Sequence, residues 1–210
     1  YTICATTTGS NLYTSLNPII GLGTTYVWTN SNPDIGMISS GTGSNYFTAT
    51  NTTLSPIIGN ISVTPTYTNN NVACTGTPIS FTITVNPMPT VDPIDNQSIC
   101  VGSSTTSVVP TGNIPNTIYT WSNNNISSGL ASAGNSQIPA FIGLNNTNQP
   151  NVSTINVTPS YTFNDETCTG TAGQFGITIN PIPIVDQIDD YVACAGSNIN
   201  ILFTSASNIT

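Results

Sequence analysis

The sequence predicts an all-β chain: Greek-key β-sandwich modules repeated in tandem as a linear array. Three observations predict it. The chain repeats itself at about the length of one domain, its apolar residues alternate as strands do, and its cysteines and proline-rich joints keep the register of the repeat. The segment Ile61–Pro87 (ISVTPTYTNNNVACTGTPISFTITVNP) recurs as Ile155–Pro181 (INVTPSYTFNDETCTGTAGQFGITINP), with 16 of 27 positions identical at an offset of 94. Solenoid repeats run to about 20–50 residues, whereas one all-β sandwich takes about 100, so the period is that of a whole module.

The elements follow in order along one period. Thr24–Thr29 (TTYVWT) is β-branched and aromatic and reads as a strand, as does Asn45–Thr50 (NYFTAT). Ile61–Thr68 alternates apolar and polar, with Pro65 tolerable at an edge or bulge, and Asn69–Asn71 signals a turn. Ile79–Val85 places Ile79, Phe81, Ile83 and Val85 on one face. The second period repeats these strands over Thr117–Ser122, Ile138–Ile142, Val152–Phe163 and Gln174–Ile179. No stretch carries the i, i+3, i+4, i+7 spacing of an amphipathic helix. Short strands between turns over about 94 residues point to an immunoglobulin-like sandwich. Trp28, Trp121, Tyr67 and Tyr161 are its expected core aromatics.

Modules join at Asn86-Pro87-Met88-Pro89 and Asn180-Pro181-Ile182-Pro183, where proline fixes φ and stiffens the chain. The expected organisation is residues 1–90, residues 91–184, and the opening of a third module over residues 185–210. Residues 198–204 are expected to form a strand of that module once the rest of it is present, since about 26 residues bury no core alone. The sequence reads as a window cut from a longer protein.

Composition excludes much. The 210 residues contain no Lys, Arg or His, and the charged residues are eight Asp and Glu, where about a quarter of an average chain is charged. Binding to nucleic acid or to anionic lipid needs cations that are absent here. A Ser–His, Cys–His or Ser–Lys nucleophile cannot be assembled. No apolar run is long enough to span a bilayer as a helix. The adjacent carboxylates Asp165 and Glu166 stand opposite Asn71 and Val72 in the repeat, and an active site in one copy of an array is a poor reading. The expectation is a non-enzymatic protein. The joint carboxylates Asp92, Asp95, Asp186, Asp189 and Asp190 are the residues that could hold calcium, the one cofactor considered. Eight N-glycosylation sequons occur, about the number chance gives at this content of Asn, Ser and Thr.

The cysteines keep the repeat. Cys4, Cys100 and Cys194 fall at one position of it, Cys74 and Cys168 at another. Without His, and without two cysteines two to four residues apart, zinc is a poor reading. Disulfides in an oxidising, extracytoplasmic setting are the better one. Pairing within modules gives Cys4–Cys74 and Cys100–Cys168, with Cys194 left to a partner beyond residue 210; the rival is Cys74–Cys100, stapling neighbouring modules.

Four motifs carry a resemblance: the Y-x-W strand (Tyr26–Trp28, Tyr119–Trp121), the V-T-P-x-Y-T block (Val63–Thr68, Val157–Thr162), the C-T-G-T block (Cys74–Thr77, Cys168–Thr171) and the N-P-x-P joint. Together they resemble the PKD-like tandem repeats of very large surface proteins of gliding Bacteroidota, including gliding-motility adhesins exported by type IX secretion. The resemblance implies an extracellular, cell-surface location and a stalk or filament that holds a distant adhesive part away from the cell. Its expected partners are neighbouring repeats, surface polysaccharide or other adhesin chains. The alternative is a carbohydrate-binding module array of a secreted polysaccharide-degrading enzyme, which would expose Trp28 and Trp121 for stacking on sugar.

Overall fold

The computed structural model describes residues 1–6, 23–43 and 45–204. Those residues are all-β. The first sheet holds β1 (Thr2–Cys4), β2 (Thr24–Asn30), β3 (Ser40–Thr42), β4 (Ile57–Asn69), β5 (Val72–Thr75) and β6 (Ile79–Asn86). Its order is β1-β6-β4-β2-β3, with β5 folded back on the outer half of β4. The second sheet repeats this with β7 (Gln97–Cys100), β8 (Ile118–Asn123), β9 (Ala133–Asn135), β10 (Asn151–Phe163), β11 (Glu166–Thr169) and β12 (Gly173–Asn180), in the order β7-β12-β10-β8-β9.

Each sheet mixes pairing senses. β1 runs parallel to β6, and β7 parallel to β12; the central pairs β6–β4 and β4–β2 are antiparallel. Opposite β2, the long strand β4 serves two partners along its other edge. Ile57–Val63 pairs with β6, and Thr66–Asn69 pairs with β5. The expected turn at Asn69–Asn71 is present, with Asn70 and Asn71 both at positive φ. Asn164 and Asp165 repeat it. Two successive left-handed residues form the hairpin turn whose twist suits the flanking strands, and Asn and Asp tolerate that region best among residues with a side chain.

Alternation buries one face of each sheet. In β4 the inward series is Gly59, Ile61 and Val63; in β10 it is Ser153, Ile155, Val157 and Pro159. Ala5, Trp28, Ile35, Met37, Phe47, Ala49, Ile83 and Val85 complete the first core. The layer opposite the sheet is mostly irregular. In the second repeat it touches itself through isolated bridges, Ser104 to Ile142 and Val108 to Ile138. Two expected strands fall in this layer. Residues 45–50 alternate inward and outward, and residues 138–142 bury Ile138 and half-bury Phe141, but neither segment joins a ladder of a named strand.

Buried amides replace charge in holding the irregular turns. Asn30, 5% exposed, donates from Nδ2 to the carbonyls of Met37 (2.6 Å) and Asn32 (3.0 Å) and accepts from the Asn32 amide. Asn123 does the same with Leu130 and Asn125. Each closes a 3-10 turn, Pro33–Ile35 or Ile126–Ser128, whose end is capped by a left-handed glycine, Gly36 or Gly129.

The chain divides into two compact units. One is Tyr1–Val91 with Thr111–Ile118 and Thr158–Thr171; the other is Asp92–Pro110 with Tyr119–Val157 and Ala172–Thr210. Residues 198–204 form no strand and are exposed.

Candidate functional site

A polar and covalent cluster of the first unit gathers around Asn86–Thr90, the first N-P-x-P segment. Parallel pairing sets Cys4 beside Asn86 at the end of β1. Cys4 is joined to Cys168 by a disulfide, with Cα atoms 5.4 Å apart and 164 residues between them in sequence. Cys168 lies on β11, opposite Tyr161 of β10, so the β10–β11 hairpin is tied down at its root.

The tip of that hairpin is held as well. Asn86 is fully buried, and its Nδ2 donates to the carbonyls of Phe163 (3.2 Å) and Glu166 (3.3 Å), the two residues that flank the turn. Past β11, Gly170 lies so close to Pro89 that a Cβ there would overlap the Pro89 carbonyl. Asn113 holds the segment from another side: Oδ1 accepts from the Thr90 amide (2.8 Å), and Nδ2 donates to the Met88 carbonyl (3.4 Å). Pro87 and Pro89 are buried, and Met88 packs against the core. Chemically this is a clamp: a covalent bond, a buried amide and a glycine contact all act on one short stretch of backbone.

The disulfide corrects the expected pairings. Neither Cys4–Cys74 nor Cys100–Cys168 forms, and Cys74, Cys100 and Cys194 are exposed free thiols. The reason is ladder register. Cys4 is level with Asn86, at the Ile57 end of β4, whereas Cys74 pairs with Tyr67. Ten residues of strand separate them, roughly 33 Å at about 3.3 Å per residue, and a disulfide needs Cα atoms within about 7 Å. Cys100, level with Asn180, stands equally far from Cys168 along β10. The rival Cys74–Cys100 bond is absent too.

Other candidates are placed as follows. Trp28 and Trp121 are buried at 2% and 5% exposure. Tyr67 is 39% exposed and Tyr161 half-buried. Both have the inward parity of their strands; Tyr67 lies four residues beyond Val63, the last buried position of β4, and Tyr161 two beyond Pro159, the last of β10, so Tyr67 departs from the expected core. Asp92, Asp95, Asp189 and Asp190 are exposed. Asp186 accepts from the Thr204 hydroxyl (2.5 Å), and its amide donates to the Thr204 carbonyl. Among the described residues no three Asp, Glu or Cys side chains gather as a metal site. Asp165 lies in the hairpin turn and Glu166 opens β11. The sequon residues Asn51 and Asn145 spend both ends of their amides on loop and strand backbone; Asn208 lies outside the described residues.

The sequence reading missed Asn86, Asn113 and Gly170. Two of the three carried a signal. Asn86 and Gly170 sit in the repeated N-P-x-P and C-T-G-T blocks, where repetition pointed to a contact rather than a spacer.

No protein-family model and no curated protein sequence matches the chain. Among solved structures it is similar to a human protocadherin-24 fragment (EC1-2), with 12% identity, a TM-score of 0.34, and coverage of 87% of this chain and 94% of that one. It is also similar to the human desmocollin-1 ectodomain, with 12% identity, a TM-score of 0.25, and coverage of 77% of this chain and 35% of that one.

Proposed function

We propose that the chain is a structural repeat of a stalk or filament in a large secreted or cell-surface adhesin, presenting a distal adhesive region away from the cell. The observation that carries this reading is one strand order occurring twice in one chain, in β1–β6 and in β7–β12, with a disulfide tying residues 164 apart; residues 1–90 and 91–184 are the modules we propose for it. Load-bearing needs repetition and covalent bracing, and both are present. A stable disulfide favours an exported, oxidising setting. A chain without Lys or Arg offers trypsin-like proteases no site, which suits life outside a cell. The PKD-like motifs extend the proposal to gliding-motility adhesins and type IX secretion. Neighbouring repeats, surface polysaccharide and other adhesin chains are the partners it entails.

Buried indoles at Trp28 and Trp121 speak against the carbohydrate-binding alternative, because a sugar platform needs an exposed ring. The test is replacement in the source cell. Deleting the repeats should abolish adhesion, and an unrelated rigid spacer of equal length should restore it. Failure of every spacer would assign the repeats a specific ligand instead of a reach.

A further inference from the structure

The Cys4–Cys168 bond has a carboxylate beside it: Glu166 Oε1 lies 3.7 Å from Cys4 Sγ. Strand alternation puts it there, because Glu166 and Cys168 are two residues apart on β11 and share one face. The buried Asn86 amide fixes the backbone at that point by donating to the Glu166 carbonyl (3.3 Å). No basic side chain neutralises the charge, since the 210 residues include no Lys, Arg or His. The first repeat has Val72 at this position, two residues before Cys74. The carboxylate is therefore no part of the repeated pattern.

The two sulfurs also differ in access. Cys168 is fully buried, whereas Cys4 is half-buried. Thiol–disulfide exchange needs a thiolate to reach one sulfur of the bond. Cys4 Sγ is the sulfur within reach, and the incoming thiolate must bring its negative charge up to Glu166. A positive group beside the incoming sulfur offsets that repulsion, and a negative group adds to it.

We propose that Cys4 Sγ is a charge-selective thiol-exchange site, at which Glu166 favours thiols that carry positive charge beside their sulfur and turns anionic thiols away. The reaction is a two-electron reduction by two thiols. The first thiolate attacks Cys4 Sγ, forms a mixed disulfide there and expels Cys168 as a thiolate, which takes a proton from water. The second thiolate attacks the outer sulfur of the mixed disulfide. Cys4 leaves as a thiolate and is protonated in turn, and the two reductant sulfurs end joined as a small disulfide. The bond is thus opened by one chemical class of reductant and kept closed against another. The selectivity holds whether or not the chain is a stalk.

The test is reduction of the purified, oxidised chain by cysteamine (cationic), 2-mercaptoethanol (neutral) and 2-mercaptoethanesulfonate (anionic), at equal thiolate concentration and low salt. Each rate is divided by that of the same thiol on a neutral small disulfide. Acid-quenched samples are alkylated and mapped by mass spectrometry after pepsin digestion. Cysteamine should outpace the sulfonate by on the order of tenfold, the size expected for one unpaired charge near the reacting sulfur, and added salt should shrink the gap. E166Q should narrow the gap to within about twofold. D165N removes the same unit of charge from the neighbouring, exposed residue and should leave most of the gap in place. The first adduct should sit on Cys4. Equal rates for the three thiols, an equal effect of D165N, or a first adduct on Cys168 would overturn the proposal. So would an E166Q variant that speeds all three thiols together with the gap unchanged, because that result reports looser packing and not charge.

Discussion

Trp28 stands directly opposite Gly41 across the β2–β3 ladder, and its indole fills the space a side chain at Gly41 would take. Trp121 and Gly134 repeat the pair across β8 and β9. A Cβ built at either glycine overlaps the six-membered ring. The largest core side chain of each repeat therefore has a glycine on the edge strand as its specific partner, and both must change together to be tolerated.

Gly41→Ala forces the ring or the edge strand aside, at about 1–3 kcal/mol for an overpacked site. The melting temperature should fall by on the order of 5–15 °C for a cooperative unit of this size. Trp28→Phe alone leaves a cavity, but combined with Gly41→Ala it removes the overlap. The double variant should lose less than the sum of the singles in a thermodynamic cycle. Additive losses would show that the ring and the glycine are not coupled.

Asn30 and Asn123 supply a second prediction. Each buried amide satisfies two carbonyls and one backbone amide of its turn. Leucine, of similar volume, would leave those groups unpaired inside the protein, at about 1–3 kcal/mol for each group left unsatisfied. Aspartate keeps the acceptor but sets a buried carboxylate oxygen against the Met37 and Asn32 carbonyls, so Asn30→Asp should cost at least as much as Asn30→Leu. Urea unfolding measures both. A neutral Asn30→Leu would mean that water serves the turn equally well.

These pairs mark what the sequence could disclose. The strands were legible wherever alternation ran for six residues or more, as in β2, β4, β6 and their copies, because the two-residue period and burial agree there. The short strands β1, β3 and β5 carry three or four residues and no readable period. The irregular layer reads as strand in the sequence because residues 45–50 and 138–142 are rich in aromatic and β-branched side chains, yet in the structure residues 138 and 142 make only isolated bridges. Cysteine register was legible, but its pairing was not: which cysteines meet depends on ladder offsets along β4 and β10, and those come from β1 running parallel to β6. Asn86 looked like a linker residue because its acceptors, Phe163 and Glu166, lie 77 and 80 residues away.

Gly170 and Gly76 are identical in sequence context and differ in surroundings, which predicts an asymmetry. Gly170→Ala places a methyl group on the Pro89 carbonyl. It should displace the hairpin and cut the yield of Cys4–Cys168 during oxidative refolding several-fold. Gly76→Ala meets only the Pro65 ring, at 3.0 Å, and should leave that yield within a factor of two. Thiol counting by mass spectrometry after refolding distinguishes the two variants. Equal effects would mean that the contact between Gly170 and Pro89 does not position the cysteines.

The Cys4–Cys168 bond makes a mechanical prediction. The disulfide removes the 164-residue interval from the path between the chain ends. Pulled by its ends, the oxidised chain cannot extend that interval even when both sheets unfold. Reduction, or Cys4→Ser, should add roughly 550 Å of contour length, taking about 3.4 Å per extended residue. The bond should also raise stability by roughly 5 kcal/mol, the chain-entropy value for a closed loop of this length. Single-molecule force spectroscopy with and without reductant reads the extension directly. Equal contour lengths in the two conditions would show that the bond does not form in the folded chain. A gain near two fifths of that length would point instead to a shorter loop, such as one closed within a single repeat between Cys4 and Cys74 or between Cys100 and Cys168.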